Sequence, residues 1–214
     1  MKKFVLSYSC GKDSTLALHR MIKDGNKPVG LIVTVNKDKN QSWFHRVPEE
    51  ILESVSRSLN IPLIKVPCKG EEYEYEFEKA LIKAKEMGAD TCVFGDIDIL
   101  AHRKWCTDRC DNTNINAHFP LWQENREDIT NEVIESGFKA MIKCCNDTQL
   151  NEDFLGKVLT KELIQDIKAR GADACGENGE YHTFVFDGPI FKEEIKFNKE
   201  EKFKVDGYNH LVIK

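Results

Sequence analysis

Ser9-Cys10-Gly11-Lys12-Asp13-Ser14 follows a short apolar run, Phe4-Val5-Leu6, and opens a segment in which Ser14, Ala17, Leu18, Met21 and Ile22 fall on one helical face. The pattern predicts a strand, a small-residue turn, and a helix over residues 14–23 with Gly25 as its stop. Such a turn aims unpaired backbone N–H groups at one point, which is also the positive end of the helix dipole. An anion belongs there, and phosphate is the usual one. The spacing excludes the loop of ordinary nucleotide hydrolases, which needs four residues between its glycines and then Gly-Lys-Ser or Gly-Lys-Thr. Asp13 stands where that loop has its magnesium-binding hydroxyl. The alternative is a structural turn capped by Ser9.

Outward from this turn the chain alternates. Val29-Gly30-Leu31-Ile32-Val33-Thr34-Val35 is a continuous apolar run, suited to a strand covered on both faces of a parallel sheet. A polar loop leads through Trp43-Phe44-His45-Arg46-Val47 to Pro48, Glu49 and Glu50, a helix start whose buried face is Ile51, Leu52, Val55 and Leu59. Leu63-Ile64-Lys65-Val66 reads as a third strand, residues 73–87 as a helix, and Thr91-Cys92-Val93-Phe94 as a fourth strand ending in Gly95-Asp96. Strands alternating with helices specify a parallel sheet with helices on both faces. Ligands in such sheets bind beyond the carboxyl ends of the strands. Residues 9–14, 36–45 and 95–96 are therefore expected to line one crevice.

The second half changes character. Helices are expected at 100–110, 124–136 and, capped by Thr160, up to Arg170. A strand is expected at 138–143, and more follow at Phe184-Val185-Phe186, Ile195/Phe197, Phe203/Val205 and Leu211/Ile213. The predicted class is α/β: a Rossmann-like domain at 1–120 with a smaller mixed α+β domain at 121–214.

The 214 residues carry 41% hydrophobic and 31% charged side chains, as a soluble globular protein does. No apolar run approaches the ~20 residues of a membrane span, and no export signal is seen. The eight cysteines are scattered through a chain too long to need staples, so reduced thiols and a cytoplasmic location are expected. A formal charge of −5 argues against a surface that grips nucleic acid.

A second cluster, Gly176-Glu177-Asn178-Gly179-Glu180-Tyr181-His182-Thr183, packs two carboxylates, a histidine and two glycines into eight residues. Its carboxylates suit an amine, magnesium or a proton; the alternative is a polar hairpin facing water. His102, Cys106 and Cys110 share a helix face, which reads as a buried face rather than a zinc site.

The first loop resembles the Ser-Gly-Gly-x-Asp-Ser loop of the N-type ATP pyrophosphatases, with Cys10 in place of a glycine. With His45, Pro120-Leu121-Trp122, the 176–183 cluster and Asp187-Gly188-Pro189-Ile190-Phe191, essentially the whole chain resembles the diphthine–ammonia ligase family. It departs from the ligases at Cys10, at His182 where they carry glutamate, and around Gly95-Asp96-Ile97 and His102-Arg103-Lys104-Trp105, which suggests a sister branch. The resemblance implies a HUP-type nucleotide domain and a family-specific acceptor domain. It implies ATP and Mg²⁺, an acceptor carboxylate on a protein or small molecule, and ammonia, with a homo-oligomer possible. The reaction it implies activates the carboxylate as an adenylate, releases pyrophosphate, and lets ammonia displace AMP.

By the same resemblance Ser9, Cys10, Gly11, Lys12, Asp13 and Ser14 hold the phosphates, Gly11 and Lys12 through backbone N–H groups. Asp13 holds magnesium, and Asp13→Ala is expected to leave the fold intact. The backbone of Val33 or Val35 reads adenine. His45 faces the α phosphate or the acceptor, and Asp96 the acceptor or metal. Glu177 and Glu180 serve the acceptor and ammonia, and His182 carries a proton. Cys10, beside a helix N-terminus, is a candidate for a lowered pKa. Two other functions compete: a tRNA-modifying enzyme, disfavoured because no Cys-x-x-Cys pair exists, and an adenine-nucleotide-binding module without turnover.

Overall fold

The computed structural model describes residues 1–36, 38, 39, 41, 42, 45–69 and 72–214. Trp43 and Phe44, part of the expected crevice segment, lie outside them. The elements run β1 (Lys3–Ser7), α1 (Lys12–Lys23), β2 (Lys27–Asn36), β3 (Gln41–Ser42), α2 (Glu49–Leu59), β4 (Leu63–Cys68), α3 (Tyr73–Glu86), β5 (Thr91–Val93), α4 (Leu100–Thr113) and β6 (Asn116–His118). Then come α5 (Arg126–Glu135), β7 (Lys139–Asn146), a 3₁₀ turn (Glu152–Phe154), α6 (Lys161–Ala169), β8 (Tyr181–Asp187), β9 (Lys199–Val205) and β10 (Tyr208–Ile213).

The first sheet pairs β4, β2, β1, β5 and β6 in parallel, in that order, with β3 added antiparallel to the end of β2. β1 is central, and the connections run outward from it in both directions. The C-terminal ends of β1 and β5 therefore form the switch point where ligands seat in such sheets. Apolar side chains alternate as the pleat requires. Phe4, Leu6, Leu31, Val33 and Val35 join the cluster that includes α1 and α2, while Val5 and Ile32 join the one that includes α3 and α4.

The second sheet is antiparallel, in the order β8-β7-β10-β9. Its Ala140, Ile142, Phe184 and Leu211 belong to the same apolar cluster as Phe4 and Leu16, so one core runs through both halves. Arg20 of α1 ties them further through ion pairs to Glu124 and Glu132.

Sequence reading differs from the structure in four elements, the first being β3, a two-residue strand inside the segment read as a polar loop. β6 was not anticipated: three residues carry too little periodicity to register. Ile195 and Phe197 alternate but find no strand partner. Ile195 is tied to Phe186 by one backbone bond of 2.8 Å, and Phe197 packs edge-on against Phe184 and Phe186. β8 begins at Tyr181, so the last three residues of the glycine-rich cluster are strand rather than loop. Every cysteine whose side chain is described is a free thiol. No helix among the described residues is long and apolar enough to cross a membrane.

Candidate functional site

The chain leaves β1 through Tyr8 and turns at Cys10, whose φ of 64° is left-handed. That conformation costs a non-glycine residue about 1–2 kcal/mol. Cys10 tolerates it while its side chain is fully buried in the core and its carbonyl accepts the Val185 N–H at 2.8 Å. Burial raises the thiol pKa, which overturns the expectation of a lowered one, and Cys10 lies behind the cleft rather than in it.

The next two backbone donors already have partners. Gly11 N–H donates to Ser9 Oγ at 3.2 Å and Lys12 N–H to Thr183 Oγ1 at 3.0 Å. Protein hydroxyl oxygens thus sit where phosphate oxygens were expected. The Ser9 and Ser14 hydroxyls are 3.1 Å apart, and Ser14 Oγ donates to Gly11 O.

Lys12 is 3% exposed and reaches both oxygens of Asp13 at 2.8 Å. Burial opposes its charge, but Asp13, Cys175, Tyr181 and Glu177 outweigh it and hold the pKa well above the ordinary lysine value. Asp13 is therefore the counter-ion of a buried ammonium. Asp13→Ala would strand that charge, so the expectation of an undisturbed fold is revised.

Glu177 stands across from this pair. Burial and the charge of Asp13 push its carboxyl up to about 7. Asp96 is likewise raised by burial, with His102 Nδ1 3.5 Å from it working the other way. One ligand atom each from Asp13, Cys175 and Glu177 lies within 4.8 Å of the others. The oxygen donors Asp13 and Glu177, with Asp96 nearby, suit a hard divalent cation, whose charge would relieve their mutual repulsion; the Cys175 thiol does not match that preference.

These groups line a cleft of about 640 Å³ at the switch point, together with Ser9, His45, His182 and Thr183. His45 Nδ1–H donates to Thr183 O at 2.7 Å. A carbonyl only accepts, so Nδ1 carries the proton and Nε2 keeps its lone pair. Burial, then His182, drive the His45 pKa down to about 3. The His182 pKa is lowered too, by burial and then Lys12. The two rings are 5.2 Å apart.

A smaller hollow beside the cleft is lined by Ser9, Val33, Thr34 and Tyr73. It arises because β1 pairs with β2 only up to Ile32 and β3 begins only at Val35. The edge of β2 is open at Val33 and Thr34. Val35 faces Ser42 on one side and Pro67 on the other. Of the two residues expected to read a flat base, Val33 borders the hollow and Val35 does not.

The tail cluster folds around Glu180. Its carboxylate accepts from Asp173 N–H at 2.9 Å, Asn178 N–H at 3.0 Å and Asn178 Nδ2 at 3.1 Å, and it is 1% exposed. Glu180 therefore departs from the expected role beside the acceptor: it shapes the loop that presents Glu177. Arg126 fastens that loop from outside, pairing with Asp173 and, through two bonds, with Asp98 beyond β5.

Sequence reading missed several cleft residues. Cys175 precedes the glycine cluster by one position. Tyr73 and Trp105 stack with ring centroids 5.1 Å apart at 5° and form an aromatic wall that no local motif announces. His102 and Cys106 both border the cleft, Cys106 with its Sγ 4.0 Å from Asp96 Oδ2, while Cys110 is fully buried behind it; the three do not converge on one point as a zinc site requires.

The fold and cleft define an α/β protein with a charged site at the switch point of a parallel sheet, the usual seat of nucleotide ligands in this architecture. Residues 1–117 match the model of the diphthamide synthase N-terminal domain, and residues 125–214 that of the C-terminal domain. Human diphthine–ammonia ligase is 37% identical over 220 residues, covering 90% of this chain and 82% of its own. The mouse enzyme is 30% identical over 221 residues, with the same coverage. The chain belongs to the diphthine–ammonia ligase family. A structure titled as a predicted subunit of a tRNA methyltransferase from Methanocaldococcus jannaschii is similar at 16% identity and a TM-score of 0.49, over 91% of this chain and 100% of its own.

Proposed function

We propose that the chain is an ATP-dependent ligase that adenylates a carboxylate and lets ammonia displace AMP. The carrying observation is that Lys12 and Asp13, at the start of α1, and Glu177, in the loop before β8, converge on one cleft. An acceptor carboxylate oxygen attacks the α phosphorus. The bond to the bridging oxygen breaks, and pyrophosphate leaves with that electron pair. Ammonia nitrogen then attacks the acyl carbon, AMP departs, and a proton is lost from nitrogen.

Lys12 supports charge moving onto the pyrophosphate, an effect for which one lost donor costs roughly 10²–10³ in rate. Asp13, with Asp96, would hold Mg²⁺, which supplies charge neutralisation on the phosphates. The open edge at Val33 takes the base. Glu177, its carboxyl raised to about 7, is placed to accept the proton from nitrogen, and neutral His45, whose Nε2 can only accept a hydrogen bond, would face the N–H of the incoming ammonia rather than a phosphate or carboxylate oxygen.

The test is product analysis: AMP and pyrophosphate released from ATP, with the second half dependent on ammonium. Asp13→Asn keeps an oxygen for Lys12 but removes the charge; it should lower stability less than Asp13→Ala, and pyrophosphate release should stop in protein that circular dichroism shows to be still folded. ADP and orthophosphate as products would defeat the reading; stimulation by tRNA would favour nucleic-acid modification instead.

A further inference from the structure

Lys143 is the residue left over where β7 bulges. Ile142 registers with Thr183 and Cys144 with His182, and Lys143 lies between them. Bulges of this kind re-aim a side chain. Lys143 is 3% exposed, and it has no hydrogen-bond or ion-pair partner among the described residues. The ionisable groups it acts on or feels among the described residues are Cys144, Arg46, His45 and His210. Burial pushes the Cys144 thiol up to about 12, so it stays neutral. Lys143 itself is pulled down to about 8 by burial, and at neutral pH it still carries its charge.

The surroundings share that sign. His182, Cys144, His210 and Phe203 are successive cross-strand partners on β8, β7, β10 and β9, so they stand in one row on one face. His210 stacks on Phe203 at 5.0 Å, and the Arg46 guanidinium lies 5.6 Å over the same ring. His210 is held down to about 4 by burial, then by Arg46, Lys143 and His182, with Asp206 opposing them. His45 is also depressed in part by Lys143. The row reaches the cleft through His182, whose ring faces His45.

A buried ammonium with no counter-charge is costly, and removing it usually stabilises a fold. Here Arg46, Lys143 and the His45, His182 and His210 imidazoles lie close enough to act on one another, and among the described residues no carboxylate pairs with Lys143. We propose that Arg46, Lys143, His182 and His210 form an oxyanion subsite beside the cleft, which takes a carboxylate or phosphate group of a molecule seated there. The subsite stands on this clustering alone and does not depend on the ATP chemistry proposed above.

The test uses the whole chain with three probes, pyrophosphate, inorganic phosphate and acetate, by calorimetry and by the side-chain NMR signal of Lys143. In the wild-type protein at least one probe should shift that signal, and Lys143→Met should weaken its binding at least tenfold while melting at the same or a higher temperature. Dependence confined to acetate assigns the subsite to an acceptor carboxylate; dependence confined to the phosphates assigns it to a phosphate group. The NMR reading needs no variant, so it stands even if Lys143→Met fails to fold. Asp13→Asn should leave the Lys143 shift in place, which separates this subsite from the phosphate loop. An unmoved Lys143 signal at tens of millimolar of all three probes, or unchanged affinities in Lys143→Met, overturns the proposal.

Discussion

Two glutamates three positions apart do different work. Glu177 borders the cleft with a carboxyl raised to about 7, while Glu180 is enclosed by donors of its own loop. Glu180→Ala leaves buried N–H groups unsatisfied and should cost about 1–3 kcal/mol of stability, read as a lower denaturation midpoint. Glu177→Gln should leave that midpoint nearly unchanged and instead remove the inflection near pH 7 from the activity profile. Equal loss of stability in both variants would refute the division. The sequence shows a dense acidic cluster at this place, but nothing in the spacing says which acid turns inward. That is decided by Asp173 and Asn178, whose N–H groups need an acceptor once the loop closes.

At the scale of elements, the approach of α1 to the end of β5 shapes the site. A Cβ on Gly95 would lie 2.7 Å from Ser14 N and 2.9 Å from Ser14 Cα, backbone that cannot swing aside. A Cβ on Gly11 would meet His45 Cε1 at 2.7 Å, the far end of a side chain that can turn. Gly95→Ala should therefore displace the start of α1 and lower turnover by roughly 10²-fold, as misplacement by about 1 Å does elsewhere. Gly11→Ala should act more mildly, mainly by turning His45 away from Thr183. Turnover in Gly95→Ala equal to wild type would show that this contact does not position the loop. The strands and helices here were legible because their apolar residues repeat at periods of two and 3.6. The gap on β2 at Val33 and Thr34 was not, because it depends on where two other strands stop. Nor was the bulge at Lys143, which registers only against β8.

For the molecule as a whole, three imidazoles are kept neutral: His45 at about 3, His210 at about 4, and His182 below its ordinary value. Burial is the leading cause in each. Arg46 and Lys143 add to it at His210, His182 and Lys143 at His45, and Lys12 at His182. Asp206 opposes at His210 and Asp13 at His182. In the unfolded chain each titrates near 6.5, so below that pH the unfolded state binds more protons and stability falls as pH drops toward 4. Glu177 runs the other way: its raised pKa favours the folded state at acid pH and loses that benefit as pH rises toward 7. Asp96 is raised as well, but two raised carboxyls stand against five lowered imidazoles, His19 and His118 included, which leaves a net loss in acid. His210→Gln should lose less stability between pH 6.5 and 4 than wild type, measured by denaturant midpoints; parallel curves would mean that His210 is charged in the fold.

The loop from Ser9 to Ser14 is held in shape from far along the chain. Thr183 receives the Lys12 N–H across 171 positions and the His45 ring across 138, and Val185 secures Cys10. On a ribosome the first strand and helix emerge long before β8 exists. The nascent segment then carries the letters of the loop without the clamp that sets its curvature, so a chain cut short ahead of Tyr181 would be translated through its most recognisable motif and still be unable to grip a ligand there.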